Sequence, residues 1–268
     1  TLTLSAGDDA LHCDYTLTIG SENTQGPTVT VTASNEALEG ATVNVLSGTL
    51  NITSTDDCIN AANKDLTDYD FAINISGGTV TAYSSTGDGF DSNGSLTISG
   101  GFVAVWTANG ADNEPLDADG TVTISGGTVL AAGGSRGMGM NLNAQQPCLI
   151  FGGDADRMDG PGNAATLLTE GSTFSILDAQ GNPLYTGTAP CNTAYLLFST
   201  PDLTDGTTAT LSSGDTETTA TAQSGTLSTG RGGMGNQGGN RQFQKTAGDK
   251  APGQKPDEKT TKETTASK

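Results

Sequence analysis

Acidic side chains recur after short alternating strands in this sequence, five or six residues later in four copies and after a longer loop in a fifth, and their oxygens are suited to binding a metal ion. In the clearest copy, residues 49–60, the alternating pair Leu50-x-Ile52 is followed five residues later by Asp57, and then by Ile59 and Asn60. Six copies of this unit occur before residue 140, spaced by about two to three dozen residues, and such a period is typical of a solenoid.

Stacking the six copies would bring the acidic residues into rows. Neighbouring coils of a β-solenoid lie about 4.8 Å apart. The inner row then holds Asp9, Glu36, Asp57, Asp88 and Glu114. The outer row, three residues later, holds His12, Glu39, Asn60, Asp91 and Asp117. A flanking row holds Asp8, Asn35, Asp56 and Asn113. Two unit charges at this spacing repel by about 1 kcal/mol in water and about 3–4 kcal/mol near a protein surface, so the rows require cations or protons.

The oxygen-rich rows predict bound Ca²⁺, which prefers carboxylate and amide oxygens. They contain a single histidine and no zinc-type set of Cys and His. The candidate metal ligands are Asp9, Glu36, Glu39, Asp56, Asp57, Asn60, Asp88, Asp91, Asp112, Glu114 and Asp117. Arg136 takes the sixth acidic position, where we expect it to end the ladder by pairing with Glu114 or Asp117. The alternative is that each acid only stabilises its own turn, which for any single acid is the simpler interpretation.

Three aromatic residues form the candidate ligand-binding surface. Tyr83 and Trp106 each lie five residues after a corner glycine in successive copies, and Phe102 lies four residues before Trp106. Because side chains alternate along a strand, all three are expected to point outward. Such rings would form a flat platform for the apolar faces of sugars. The alternative is that residues 107–113 or the C-terminal region cover them.

The elements that position these residues are short strands joined by glycine corners. Apolar residues two apart form three inward stripes in each unit of about two dozen residues, which predicts an all-β, three-sided parallel β-helix. An antiparallel sandwich is the alternative, but its hairpins reverse direction and would not repeat the same strand-to-acid spacing. We assign residues 1–163 to about six coils, residues 164–230 to a β-rich cap and residues 231–268 to a disordered tail.

The charge distribution excludes several classes of partner. The formal net charge is −19, and only Lys64, Arg136 and Arg157 are basic before residue 231. Such a surface repels nucleic acids and anionic membranes. The sequence contains no apolar stretch long enough to span a membrane, so we predict no membrane insertion. We expect a monomer, and because residue 1 already lies within a strand pattern, we expect that earlier coils are missing.

The repeated coil motif resembles that of a known family. Residues 76–82, Ser-Gly-Gly-Thr-Val-Thr-Ala, and residues 56–60, Asp-Asp-Cys-Ile-Asn, are similar to the coils of extracellular bacterial carbohydrate-binding proteins. The similarity covers roughly residues 1–163 and the cap. It implies a right-handed parallel β-helix shaped like pectate lyases, with bound calcium. It also implies an extracellular or cell-surface protein that binds cellulose or acidic glycans of the plant-cell-wall type.

We predict binding without catalysis. A lyase of the pectate-lyase type needs an Arg or Lys base beside calcium, and the coils contain only three basic residues. Paired carboxylates at 8–9 and 56–57 could hydrolyse a glycoside, but no Gly-His-Gly or Arg-x-Lys motif accompanies them. A polysaccharide lyase or hydrolase and a surface adhesin without a specific glycan remain the alternatives. A disulfide between Cys148 and Cys191 is also left open.

Overall fold

The computed structural model describes residues 1–108, 113–133, 141–152 and 166–228. Within these ranges the chain contains strands, turns and loops but no helix, so the all-β prediction is confirmed. Three predicted features lie outside the described residues: Asp112 as a metal ligand, Arg136 as the end of the ladder, and the tail 231–268. No described residue belongs to a helix long and apolar enough to cross a membrane.

Twenty strands make up the described part of the chain. They are β1 (Leu2–Ser5), β2 (Leu11–Ile19), β3 (Thr28–Ala33), β4 (Leu38–Val45), β5 (Thr49–Ser54), β6 (Ile59–Ala61), β7 (Ala72–Ile75), β8 (Thr79–Ser84), β9 (Phe90–Ser92), β10 (Ser95–Ile98), β11 (Phe102–Thr107), β12 (Val122–Ile124), β13 (Thr128–Gly133), β14 (Asn141–Gly152), β15 (Thr173–Leu177), β16 (Pro183–Thr188), β17 (Tyr195–Ser199), β18 (Thr208–Ser213), β19 (Thr216–Thr221) and β20 (Gln223–Ser228).

Parallel pairing between successive coils confirms the predicted β-solenoid. One face runs in the order β1-β3-β5-β8-β11-β13, and a second in the order β2-β4-β7-β10-β12-β14. The third face consists of the first residues of β2 and β4 followed by β6 and β9, and Leu116 continues it by bridging to Phe90. The first face has six strands, one for each sequence copy, which is equivalent to about five full turns.

The core lies between the three faces and contains the alternating apolar residues. Leu50, Val80 and Val103 are register partners on three successive strands, and none of them is exposed. Gly78 and Gly101 mark the corner before the first face, with φ angles of +83° and +81°. A Cβ on Gly101 would lie 2.6 Å from the carbonyl oxygen of Gly78, so the stacked corners require glycine at both positions.

The chain after the solenoid closes its last coil. Strand β17 is antiparallel to both β13 and β14, and it therefore joins the first and second faces at this end. A separate antiparallel sheet runs in the order β16-β15-β18-β19. We refer to residues 166–228 as the cap.

The four cysteines are free thiols, so the disulfide left open between Cys148 and Cys191 does not form. The thiols of Cys148 and Cys191 instead donate hydrogen bonds to backbone carbonyl oxygens. Cys148 Sγ donates to Gln146 O and Cys191 Sγ donates to Thr107 O, both at 3.4 Å. Burial raises the pKa of each of these two thiols to about 11, which keeps them protonated and unreactive at neutral pH.

Candidate functional site

The structure places the predicted acidic residues in rows along one corner of the solenoid. In the inner row, Cys58 N donates to Asp88 O at 3.2 Å and Gly89 N donates to Glu114 O at 2.8 Å, so these corners stack coil on coil. In the outer row, Glu39 and Asn60 are register partners on neighbouring strands, and Asn60 is in turn the register partner of Asp91 in the next coil. The rows arise because the coils are aligned and, in four of them, the acid follows its strand by five or six residues; Glu114 follows after a longer loop.

Two of the inner acids, Asp57 and Asp88, also stabilise the corner of the next coil. Asp57 Oδ1 accepts a hydrogen bond from Asp88 N at 2.7 Å, and Asp88 Oδ1 accepts one from Glu114 N at 2.5 Å. This is the turn-stabilising role that we considered as the alternative to metal binding. It occupies one oxygen of each of these two carboxylates, so the same residues can stabilise the corner and offer their other oxygen to a cation.

Burial of the acidic rows makes the charged form costly. Burial, together with the charges of neighbouring carboxylates, raises the pKa of Asp57 to about 8, of Asp88 to about 7 and of Asp91 to about 6. The pKa of Glu36 rises to about 7, again mainly through burial. Near neutral pH Asp57 therefore mostly holds a proton, and Asp88 and Glu36 hold one about half of the time, unless a cation compensates their charge.

Two observations show how the rows could hold a cation. Carboxylate oxygens of Asp88, Asp91 and Asp117 all lie within 4.8 Å of one another. Two ligands on opposite sides of one Ca²⁺ are separated by about 4.6–5.2 Å, so this group can share an ion. Asn60 is 8% exposed and donates through Nδ2 to Glu36 Oε2 at 2.9 Å, while its Oδ1 is buried without a hydrogen-bond partner. A buried amide oxygen without a donor is a ligand that a hard cation accepts.

The remaining predicted ligands are distributed differently. The side chain of Asp56 is exposed. Its backbone carbonyl oxygen stabilises the corner by accepting hydrogen bonds from Ser54 Oγ at 2.8 Å and from Ser84 Oγ at 2.7 Å. Asp9 and Glu39 lie at the first two coils, beside His12. The structure thus concentrates the buried acidic oxygens in the middle and later coils.

The predicted aromatic surface is only partly exposed. Tyr83 and Trp106 are register neighbours on the outward side of the first face, as expected. The prediction of an open platform is nevertheless wrong for Trp106, which is 5% exposed because the cap covers it. Its ring meets that of Phe174 edge-on, with centroids 5.9 Å apart. The alternative in which the C-terminal region covers the platform is the one that the structure supports.

A groove of about 490 Å³ lies where the uncovered part of the first face meets the cap. Its floor consists of the outward side of β3, β5, β8 and β11, and its wall includes Tyr185, whose ring stacks on Phe102 with a 6.3 Å centroid distance and an 18° interplanar angle. The groove is lined by Thr30, Val31, Thr32, Asn51, Ile52, Thr53, Thr81, Ala82, Tyr83, Phe102, Ala104, Trp106, Tyr185, Thr188 and Pro190. None of these lining residues is charged.

Comparison with known proteins identifies a matching protein family. A family model described as "Carbohydrate-binding domain-containing protein" matches residues 1–161. No curated protein and no solved structure matches the chain. The matched segment contains the solenoid strands up to β14 and the acidic rows, together with the floor of the groove at Tyr83 and Phe102. The wall at Tyr185 lies beyond it.

Proposed function

Since the chain belongs to the family of carbohydrate-binding domain-containing proteins, we propose that its groove binds an extended polysaccharide without cleaving it. The ligand would be a polymer of the plant-cell-wall type, either cellulose or an acidic glycan. The protein would act as a monomer outside the bacterial cell or at its surface, where such polymers are met. The observation that carries this proposal is the groove between the first face and the cap, with its aromatic rings and uncharged lining.

The groove lining combines the two kinds of contact that sugars need. Tyr83, Phe102 and Tyr185 offer ring faces against which the apolar face of a pyranose can pack. Hydroxyl and amide groups of Thr30, Asn51, Thr81 and their neighbours can exchange hydrogen bonds with ring hydroxyls. Because no lining residue is charged, the groove suits a neutral chain better than an acidic one, and an acidic glycan would require a cation to bridge it.

We further propose that Ca²⁺ stabilises the acidic rows. Asp88, Asp91 and Asp117 would hold it, with Asn60 Oδ1 as a further oxygen donor in the same rows. These residues suit Ca²⁺ because their donor atoms are carboxylate and amide oxygens, and the amide oxygen of Asn60 is buried without a hydrogen-bond partner. The ion would tie adjacent coils together, so its role would be structural.

Catalysis is the alternative function, and the groove lining argues against it. Cleavage of a glycoside by hydrolysis uses carboxyl groups within reach of the scissile bond, and no Asp or Glu lines the groove. Among the described residues Lys64 is the only Lys or Arg, and it lines a different cleft. We therefore expect no release of reducing ends or unsaturated products from cellulose, xylan or pectin, with or without Ca²⁺. Products that appear in proportion to protein concentration would contradict the proposal.

Tyr83 provides the direct test of the groove. Replacing it with alanine is expected to weaken binding of cello-oligosaccharides by about 1–2 kcal/mol, or roughly 5- to 30-fold, because a half-buried aromatic contact is removed. Calorimetry and pull-down on insoluble cellulose measure this effect. The matched control is Tyr15→Ala, which removes a tyrosine that is 59% exposed and lies outside the groove. If both variants bind like the unmodified protein, the groove is not the glycan site.

A further inference from the structure

The single histidine of the chain lies at the first coil of the outer acidic row, between two carboxylates. His12 Nδ1 is 2.6 Å from Glu39 Oε2 and 3.4 Å from Asp9 Oδ2. One possible ligand atom from each of the three residues lies within 4.8 Å of those from the other two. They come from two neighbouring coils, since His12 and Glu39 are register partners in β2 and β4.

We propose that Asp9, His12 and Glu39 form a site for Zn²⁺ or a similar transition-metal ion, separate from the calcium ligands of the later coils. A histidine nitrogen with two carboxylate oxygens is a donor set for zinc rather than calcium, because imidazole suits transition metals and Ca²⁺ prefers oxygen alone. The sequence predicts calcium for all of the rows because it places only one histidine among many acidic residues. The structure shows that this histidine faces two of those acids, Asp9 and Glu39.

The distances fit a tetrahedral ion after small side-chain movements. With metal–ligand bonds of about 2.0–2.1 Å, two ligands of a tetrahedral site lie about 3.4 Å apart. The distance from His12 Nδ1 to Asp9 Oδ2 already has this value, at 3.4 Å. The distance from Nδ1 to Glu39 Oε2 would have to open from 2.6 Å by somewhat less than 1 Å. Both His12 and Glu39 are partly exposed, so rotation of the side chains can achieve this.

The imidazole is already oriented by a residue outside the ligand set. His12 Nε2 lies 3.3 Å from Asp14 Oδ1, which leaves Nδ1 directed at the two carboxylates. A carboxylate on the second ring nitrogen is the usual partner of a metal-binding histidine, because it fixes the tautomer and raises the basicity of the ligand. Asp14 therefore acts as a positioning residue for the metal and not as a ligand.

A cleft beside the site leaves room for the fourth ligand. The cleft has a volume of about 440 Å³, and its walls include His12, Asp14 and Glu39 together with Asn63 and Lys64. Asn63 Nδ2 donates to Asp14 O at 2.8 Å, so the loop between β6 and β7 is held against this end of β2. A zinc ion with three protein ligands keeps its open position for water or another ligand, and here that position would face the cleft.

The competing explanation is a protonated histidine that simply pairs with the two acids. The hydrogen bond to Glu39 raises the pKa of His12, and the charges of Glu39 and Asp9 add to this. Even a protonated His12 would leave a net negative charge beside Asp9, Asp14 and Glu39. A divalent ion compensates this charge more completely, and its binding would release a proton from the imidazole.

The test is calorimetric titration of Zn²⁺ into protein that carries no polyhistidine tag, in saturating Ca²⁺ so that oxygen-only sites are filled. One Zn²⁺ is expected to bind per chain. Co²⁺ in place of Zn²⁺ is expected to show the visible absorption of a tetrahedral site with a nitrogen ligand. Asp14→Asn should weaken Zn²⁺ binding by about 10–100-fold, as is typical when a residue that orients a metal-binding histidine is lost. His12→Ala should weaken it more than Asp14→Asn does.

Asp91→Asn is the matched control, because it removes an acid from the later coils of the same row. It should reduce the stabilisation by Ca²⁺ and leave Zn²⁺ binding unchanged. Circular dichroism checks the fold of each variant, and His12→Gln provides a second test should His12→Ala unfold. Absence of Zn²⁺ binding to the unmodified protein would overturn the proposal. So would equal Zn²⁺ affinity in the unmodified protein and the folded His12 variant. Neither outcome would affect the proposed glycan groove.

Discussion

Trp106→Ala is expected to lower the free energy of unfolding by about 3–5 kcal/mol, the usual cost of removing a large buried aromatic side chain. Trp106 is 5% exposed and belongs to an apolar cluster that joins β11 and β13 to the cap. Its loss leaves a cavity against Phe174 and removes an edge-on ring contact at 5.9 Å. Because Trp106 is the only tryptophan, unfolding in denaturant has to be followed by circular dichroism rather than by fluorescence.

Two further variants show whether this loss of stability reflects burial under the cap. Trp106→Phe keeps a ring in the cluster and should cost clearly less than the alanine variant. Tyr15→Ala removes an exposed aromatic residue from β2 and should change stability by less than about 0.5 kcal/mol. Trp106 also lines the edge of the groove, so glycan affinity alone cannot separate a covered position from an exposed platform. Unchanged stability in Trp106→Ala would contradict the covered position.

The fold of the solenoid could be predicted because its determinants are local and repeated. An alternating pair such as Leu50 and Ile52 sets which side of a strand faces the core, and a corner glycine such as Gly78 sets where the coil turns. Repetition of these signals then fixes the register between coils. The acidic rows follow from the same register, since in four of the coils the acid comes five or six residues after a strand that is aligned with its neighbours.

The covered aromatic face could not be predicted from the same signals, because alternation indicates which side a residue faces but not what lies over it. The sequence nevertheless contains one signal of this cover. The outward positions of β3, β5 and β8 are mainly Thr and Asn, whereas those of β11 and β13 include Ala104, Trp106, Leu130 and Ala132. Strands that are apolar on both sides are typically buried on both sides. This change in composition marks where the cap begins to cover the solenoid. It does not indicate that Tyr185 of the cap forms the wall of the groove.

Calcium is expected to stabilise this protein much more at pH 8 than at pH 5. The groups responsible are the buried carboxyls whose pKa values rise to about 8, 7, 7 and 6, namely Asp57, Asp88, Glu36 and Asp91. Between their ordinary pKa values near 4 and these raised values, the folded state binds more protons than the unfolded state. Without divalent cations, the stability that these groups contribute is therefore greatest at about pH 4 and below, and it falls as the pH rises from about 4 to 8.

Ca²⁺ should replace the lost protons and restore stability at the higher pH. At a concentration 100 times its Kd, one bound ion contributes about 2.7 kcal/mol. At pH 5 protons compete for the same oxygens, so the contribution should be much smaller. Thermal unfolding from pH 5 to 8.5, with excess Ca²⁺ or with a chelator, measures both effects.

Asp88→Asn tests whether the acidic rows cause this dependence on pH and calcium. The amide oxygen of asparagine can still accept the hydrogen bond from Glu114 N, so the corner keeps its shape. The variant has one titrating group fewer and one anionic ligand fewer. In chelator its melting temperature should therefore fall less between pH 5 and 8 than that of the unmodified protein, and added Ca²⁺ should raise it less at pH 8.

A chelated protein that becomes more stable towards pH 8 would show that the buried carboxyls do not hold protons. An equal effect of Ca²⁺ in Asp88→Asn and the unmodified protein would place calcium outside these rows.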